Sequence, residues 1–320
     1  MSHVIAVTGA TGAQGGGLVR AILAQPEAGF TVRAITRDPG SPAAVALAEA
    51  GAEVVRADLD DRASLVAAFA GAHGAFCVTN FWEHFDPELE QTQAANLAAA
   101  VAEAGVRHAM WSTLEDVRDS VPPADPRMPT LMGRYKVPHF DAKGASDKLF
   151  RATGVPTTLL RTCFYWDNMI SFGMGPQPGA DGVLELSLPL GDAPLAGIAA
   201  ADIGACAFGL FAAGPPAGCP TVGIAGGHPT GEQMAAGLTR ALGRPVRYRA
   251  IALQHYRALP IPGADELANM FQFNTEFAEA YCGVRDVEHT RTLHPGLLGF
   301  DAWATARAAD LAGALAGAAA

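Results

Sequence analysis

The sequence predicts an α/β protein: a Rossmann-type doubly wound parallel sheet with a smaller α+β lobe toward the C-terminus. Short apolar runs alternate with helical patterns over roughly the first 160 residues, as parallel βαβ units require. A glycine-rich turn joins the first apolar run to the first helix. The 320 residues provide ample chain for a buried core.

The first strand is read at VIAVTGA (4–10), and LVRAILAQ (18–25) has the 3.6-residue period of a helix. TVRAITR (31–37), AEVVRAD (52–58), AFCVTN (75–80) and VRHAMWST (106–113) are the next four strands, with a long helix over 87–104. A helix from Asp141 to Thr153 leads into the sixth strand, PTTLLRT (156–162). The rhythm then breaks, with Gly and Pro frequent over 163–200 around a strand at VLELSLPL (183–190). ADIGACAFGLFAAG (201–214) reads as helix and TVGIAGG (221–227) as strand. Thr230 three residues before Gln233 forms a capping-box pattern opening a helix over 231–242, and 264–281 also reads as helical. The expected division is a nucleotide-binding domain over 1–162 and a substrate or partner lobe over 163–320, partly interleaved with the first.

Composition removes several classes. The net charge of −10 argues against a nucleic-acid surface, which needs clustered Lys and Arg. No run of about 18 apolar residues suggests a membrane span, and the N-terminus has no secretory pattern, so a cytoplasmic location is expected. Five scattered cysteines without C-x-x-C, and nine histidines without H-x-x-x-H spacing, offer neither a disulfide framework nor a metal site.

VTGATGAQGGG places Gly9, Gly12 and Gly15 in G-x-x-G-x-x-G spacing between a strand and a helix. The first glycine permits a sharp turn, the second a close approach of backbone to pyrophosphate, and the third tight helix–strand packing. The helix N-terminus then offers N–H groups and positive potential to phosphates. Strand, turn and helix in this order predict dinucleotide binding. An NAD-selective site places Asp or Glu at the end of the second strand; here stands Thr36-Arg37. The Arg37 fork suits a 2′-phosphate, so NADP(H) is the expected cofactor, although Asp38 beside it would repel phosphate.

TGATGAQGG (8–16), TRDP (36–39), GAEVVRADLDD (51–61), VTNFWE (78–83), HFDAKG (139–144), GVPTTLLR (154–161), SLPLGDAPLAG (187–197), ADIG (201–204) and PGADELANMFQF (262–273) together resemble the NmrA-like family of atypical short-chain dehydrogenase/reductases. The resemblance is strongest to its NADPH-sensor branch and covers nearly the whole chain. It implies that Ala10, Thr11, Gly12, Ala13, Gln14 and Gly15 cradle the pyrophosphate and that Arg37 binds the 2′-phosphate. It implies further that Asp58 and Leu59 flank the adenine, and that Thr79, Asn80 and Phe81 line the groove. Tyr165, Trp166, Asp167 and Asn168 would contact the nicotinamide end, although core packing equally suits the aromatics of CFYWDN (163–168). One departure is visible: the sensor branch tends to carry a lysine in the helix after VTNFWE, and here the segment reads EQTQAAN, with Thr92 near that place.

Ordinary short-chain reductases use Y-x-x-x-K on one helix face, the tyrosine as acid and the lysine lowering its pKa. Here Lys143 is present, His139 fills the tyrosine slot, and Ser112 and Thr113 end the fifth strand where a substrate-orienting hydroxyl belongs. Three readings stay open: His139 as acid, Lys143 as the lone catalytic group, or Lys143 gripping the cofactor with no hydride moving. The resemblance implies the third. Asp141 reads as a charge favouring the helix dipole. Ahead of this helix, residues 118–139 carry five prolines and read as a loop that is either solvated or a lid, with Arg127, Arg134 and Lys136 available to an anion. The sequence thus predicts either a redox sensor reading NADP(H) occupancy to a protein partner, or an NADPH-dependent reductase of a small carbonyl, quinone or enone. A homodimer is compatible with both.

Overall fold

The computed structural model describes residues 2–318. In chain order its elements are β1 (His3–Val7), α1 (Ala13–Leu23), β2 (Phe30–Thr36), α2 (Pro42–Glu49), β3 (Glu53–Arg56), α3 (Arg62–Phe69), β4 (Gly74–Cys77), α4 (Pro87–Glu103), β5 (His108–Thr113), α5 (Pro138–Arg151) and β6 (Thr157–Arg161). There follow β7 (Phe164–Tyr165), α6 (Asn168–Ser171), β8 (Gln177–Pro178), β9 (Leu184–Leu188), β10 (Gly197–Ile198), α7 (Ala200–Ala212), β11 (Thr221–Gly223), α8 (Gly231–Leu242), β12 (Val246–Ala250) and α9 (Leu253–Arg257). The last five helices are α10 (Ala264–Glu276), α11 (Ala278–Gly283), α12 (Val287–Leu293), α13 (Phe300–Ala306) and α14 (Ala308–Ala318).

The chain forms two compact units. One holds the chain up to Ser120 with Pro138–Thr162 and Ala201–Gly223; the other holds Val121–Val137, Cys163–Ala200 and the chain from Ile224 onward. The first unit is built on a seven-stranded sheet in the order β11-β6-β5-β4-β1-β2-β3, with every neighbouring pair parallel. This is the doubly wound sheet that the apolar alternation predicts, and its order reverses between β1 and β4. The central strands β4 and β5 are buried along their whole length, as expected of strands covered on both faces. On one face Leu65, Phe69, Leu97, Val101 and Phe150 pack with Trp111, whose ring stacks on Phe150 at 4.8 Å. On the other, Phe208 of α7 meets Phe30 edge-on at 5.6 Å.

The sequence boundary at Thr162 falls on one crossing between the units, but the chain crosses again. Residues 201–223 return to the first unit because α7 covers α1 and β11 pairs with β6 from Thr221↔Leu159 to Gly223↔Arg161. In the second unit, β8, β9 and β12 form a small sheet and β7 pairs with β10. The helix α8 opens on the anticipated box: Thr230 Oγ1 accepts from the Gln233 N–H, and Gln233 Oε1 from the Thr230 N–H. The helical stretch 264–281 divides at Phe277 into α10 and α11.

The proline-rich segment is largely exposed over 122–134 yet tied down from beneath. Lys136 is fully buried, its Nζ donating to the carbonyls of Asp125 and Met128, and Asn269 Nδ2 donates to those of Pro129 and Lys136. Gln272 Nε2 binds the Arg127 carbonyl, while the Arg127 guanidinium is paired with Asp125. Prolines cannot supply N–H groups, so side chains of α10 satisfy the carbonyls that no ladder can reach.

Gly204 sets the spacing of α7 on α1: a Cβ there would lie 2.0 Å from the Leu18 nitrogen. Backbone cannot give way as a side chain can. Gly204→Ala is expected to destabilise the protein by about 1–3 kcal/mol, read as a lower urea midpoint; an unchanged midpoint would contradict this packing.

Candidate functional site

The carboxyl ends of the strands in the first unit gather most of the residues singled out above. The turn after β1 leaves Gly9, Thr11, Gly12 and Ala13 exposed, while Ala10 is buried and Gln14 half-buried. A Cβ on Gly15 would fall 2.4 Å from the Gly9 carbonyl oxygen, so only glycine lets α1 start this close to the turn. Gly12 caps α1 with no side chain, and no acidic residue stands in its first turn. The helix N-terminus therefore presents backbone N–H groups without a built-in anion. Ser112 Oγ donates to Gln14 Oε1 at 2.7 Å, tying the end of β5 to the turn.

Arg37, just past β2, is exposed and forms a 2.5 Å ion pair with Glu83. Asp38, the feared competitor of phosphate, folds back instead: its Oδ1 accepts from the Gly40 N–H at 2.9 Å. Asp58 and Leu59 are half-buried beyond β3. Asp58 Oδ1 accepts from the Asp60 N–H, and the Leu59 carbonyl accepts from Asn96 Nδ2 of α4.

After β4, Thr79 is buried, Asn80 exposed and Phe81 buried. Below them lies an ion pair that sequence reasoning missed. Glu90 of α4 is fully buried, and its Oε1 lies 2.8 Å from Lys143 Nζ and accepts from Thr79 Oγ1 at 2.6 Å. Lys143 also donates to the Thr79 carbonyl at 3.1 Å and Thr79 Oγ1 at 2.8 Å, and lies 5.2 Å above the Trp111 ring. His84 Nε2 is 3.4 Å from the other Glu90 oxygen. Nothing in PELEQTQ separates Glu90 from Glu88, because both read as helix-start charges facing water. Only the α4–α5 packing turns one of them inward.

His139 lies inside α5, since the helix begins at Pro138 rather than at Asp141. It is buried against Trp82, with ring centroids 4.7 Å apart, and lies 5.9 Å from Phe81. Asp141 stands in the first turn of α5, where its charge suits the helix dipole, and it is fully buried, accepting from the Val117 N–H at 2.9 Å and fixing the chain after β5. Thr113 is likewise occupied, its Oγ1 donating to Asp147 Oδ1 at 2.6 Å.

The NmrA-like family model matches residues 1–304. This chain belongs to the NmrA-like family. The NmrA-like oxidoreductase FrzB of Cladobotryum sp is 33% identical over 202 residues, a match covering 59% of this chain and 56% of FrzB. The match thus spans little more than half of that relative's length. A (4-alkanoyl-5-oxo-2,5-dihydrofuran-3-yl)methyl phosphate reductase of Streptomyces griseus is 28% identical, covering 90% of this chain and 88% of that protein. The solved structure of NmrA, a negative transcriptional regulator, in complex with NADP superposes with a TM-score of 0.76 at 23% identity over 95% of this chain and 94% of that one, a likeness of fold.

In this NmrA-like chain, Tyr165 to Asn168 belong to the second unit. Tyr165 and Asn168 are half-buried. Trp166 has no exposed surface and packs against Phe300 and Trp303, at 5.4 and 5.9 Å, so its place is in that unit's core. Asp167 bonds the Ala200 N–H at 2.8 Å and Arg307 at 2.9 Å. Of these four, only Trp166 is fully enclosed; Tyr165, Asp167 and Asn168 keep some exposed surface. Among the described residues no His/Cys/Asp/Glu group has the form of a metal site, and no helix is long and apolar enough to cross a membrane.

Burial lifts the Asp147 pKa from its ordinary 3.8 to about 6, against the lowering effects of the Thr113 bond and Arg161. Between those values the folded chain keeps a proton that the unfolded chain has released. This group's contribution therefore falls as pH rises from about 4 to about 6, by on the order of 2 kcal/mol. Asp147→Asn retains an acceptor for Thr113 without the titration. Its urea midpoint, relative to that of the unaltered protein, is expected to be higher at pH 7.5 than at pH 4; a pH-independent difference would refute the assignment.

Proposed function

We propose that this NmrA-like protein binds NADP(H) through its first unit and acts as a redox sensor whose occupancy is read by a protein partner. The observation that carries this reading is the state of Lys143. An ammonium group has three N–H donors, and Glu90 Oε1, Thr79 Oγ1 and the Thr79 carbonyl are three acceptors within 3.1 Å. A lysine so engaged has no donor left for a substrate oxygen, and none for the cofactor ribose either, so while the pairing holds Lys143 neither relays a proton nor grips the cofactor. The other members of a reductase relay are engaged too: Thr113 with Asp147, Ser112 with Gln14, and His139 among aromatic rings. The arrangement argues against moving a proton and leaves cofactor holding to the turn after β1 and to Arg37.

The residues present suit a dinucleotide phosphate. An uncapped, acid-free N-terminus on α1 accepts a pyrophosphate at backbone N–H groups, and Arg37 is an exposed cation for a 2′-phosphate. Asp58 and Leu59 would flank the adenine, and Thr79 to Phe81 the groove. When bound, the nicotinamide supplies a hydride donor or acceptor. This chain's contribution is to hold it and, through Glu90, to keep the Lys143 charge compensated in a buried place. The reductase names of its relatives support a second reading, an NADPH-dependent reductase of a small carbonyl, quinone or enone, in which Lys143 must leave Glu90 to act.

Purified protein with NADPH and a panel of quinones, aldehydes and enones separates the two. Saturable NADPH binding by calorimetry, with absorbance at 340 nm steady across the panel, is the expected result. Turnover that disappears in Lys143→Ala would replace the sensor by the reductase. In the same assay Arg37→Glu should weaken NADPH binding by about 10–100-fold, since a bond between charged groups contributes about 1.5–3 kcal/mol. Unchanged affinity there would remove Arg37 from the site.

A further inference from the structure

Arg37 is exposed but is not a bare cation. Glu83, in the single turn Phe81–Glu83 that follows β4, holds its guanidinium at 2.5 Å, and the two side chains are 61% and 46% exposed. A carboxylate and a phosphate ask the same thing of an arginine: two oxygen acceptors and a negative charge facing the planar fork. One fork cannot serve both without drawing two anions together. We propose that Glu83 competes with the 2′-phosphate for Arg37, and that its displacement is how the presence of that phosphate is signalled to the rest of the site. The inference rests on the reading that Arg37 receives the 2′-phosphate.

The magnitudes allow the exchange. An exposed ion pair contributes about 0.2–1 kcal/mol, whereas a phosphate engaged by a guanidinium fork gains a stronger, charge-assisted double bond. A 2′-phosphate therefore takes Arg37 from Glu83. The 2′-hydroxyl of NAD(H) carries no charge and leaves the pair in place. The cation supplies the difference in affinity; the displaced anion lowers it somewhat and in exchange reports the 2′-phosphate to the chain.

The consequence lies in where Glu83 sits. Its neighbour Trp82 packs on His139 at 4.7 Å, and Phe81 meets Trp82, His84, Phe85 and His139. Two residues on, Phe85 holds φ at +54°, a left-handed conformation that is costly for a bulky side chain. Next to it His84 faces the buried Glu90, whose other oxygen holds Lys143. The segment 81–85 is thus fastened at its middle by the Arg37–Glu83 pair, with its rings laid over the first turn of α5. Releasing Glu83 loosens that fastening beside His139. The state of the 2′-position is carried to the helix bearing Lys143, through a segment already strained.

The experiment uses fragments that differ in the phosphate alone. On the full chain, 2′,5′-ADP is expected to shift the emission of Trp82, identified as the component lost in Trp82→Phe, while 5′-ADP leaves it unchanged. Glu83→Gln should show the shifted emission without nucleotide. It should also bind NADP+ more tightly by up to about fivefold, with NAD+ affinity held within about twofold. If 2′,5′-ADP and NADP+ bind the unaltered chain but Trp82 stays silent and Glu83→Gln changes neither affinity, the competition is refuted and the NADP(H) reading stands. If neither binds at all, both fall together.

Discussion

The site depends on a single buried pairing, that of Lys143 with Glu90. A charge taken out of water is tolerated only when it is compensated and its hydrogen-bonding capacity filled. Here α4 provides the anion, α5 the cation, and the end of β4 provides Thr79, which donates through its hydroxyl to Glu90 and accepts from Lys143. Three pieces of the fold are thereby locked in register at the carboxyl edge of the sheet. A buried pair of this kind adds little net stability over apolar residues, yet losing one partner strands the other. Its value lies in fixing which way Lys143 points.

That pairing also explains why a lysine retained from a reductase pattern need not signal a reductase. In the Y-x-x-x-K arrangement the lysine acts through its field on a neighbouring acid and through bonds to the ligand. When its donors already serve Glu90 and Thr79, the field is neutralised at 2.8 Å and the bonds are spent. His139 in the tyrosine slot completes the change, being enclosed by Phe81, Trp82 and Phe140. The substitution and the carboxylate work in the same direction, although they stand 49 residues apart in sequence, at 139 and 90.

Legibility followed locality. The strand–turn–helix of residues 4–25, the capping box at Thr230 and the Arg at the end of β2 could be read because each is decided within a few residues by backbone geometry or charge. Glu90, Asp141 and Lys136 could not, because nothing local distinguishes a solvated charge from one that a distant element will bury. Their partners are Lys143, the Val117 N–H and loop carbonyls respectively. The return of 201–223 to the main sheet was hidden for the same reason: a strand of three residues says nothing about which edge it joins. Trp166 could be read as either a stacking platform or a core ring, and only Phe300 and Trp303, more than 130 residues further on, decide for the core.

Two acidic residues, Glu83 and Glu90, thus flank the short segment after β4, each holding one of the two cations that a dinucleotide phosphate would otherwise attract. Their environments assign them different work. Glu90 is sealed from solvent, where a lost partner leaves an uncompensated charge, so its pairing is persistent. Glu83 is half exposed, where water and salt screen the attraction and a better anion can replace it. A chain built this way holds its inner cation fixed and leaves its outer cation exchangeable. That is the order required if a 2′-phosphate is to be recognised at the exposed arginine while the buried lysine stays restrained.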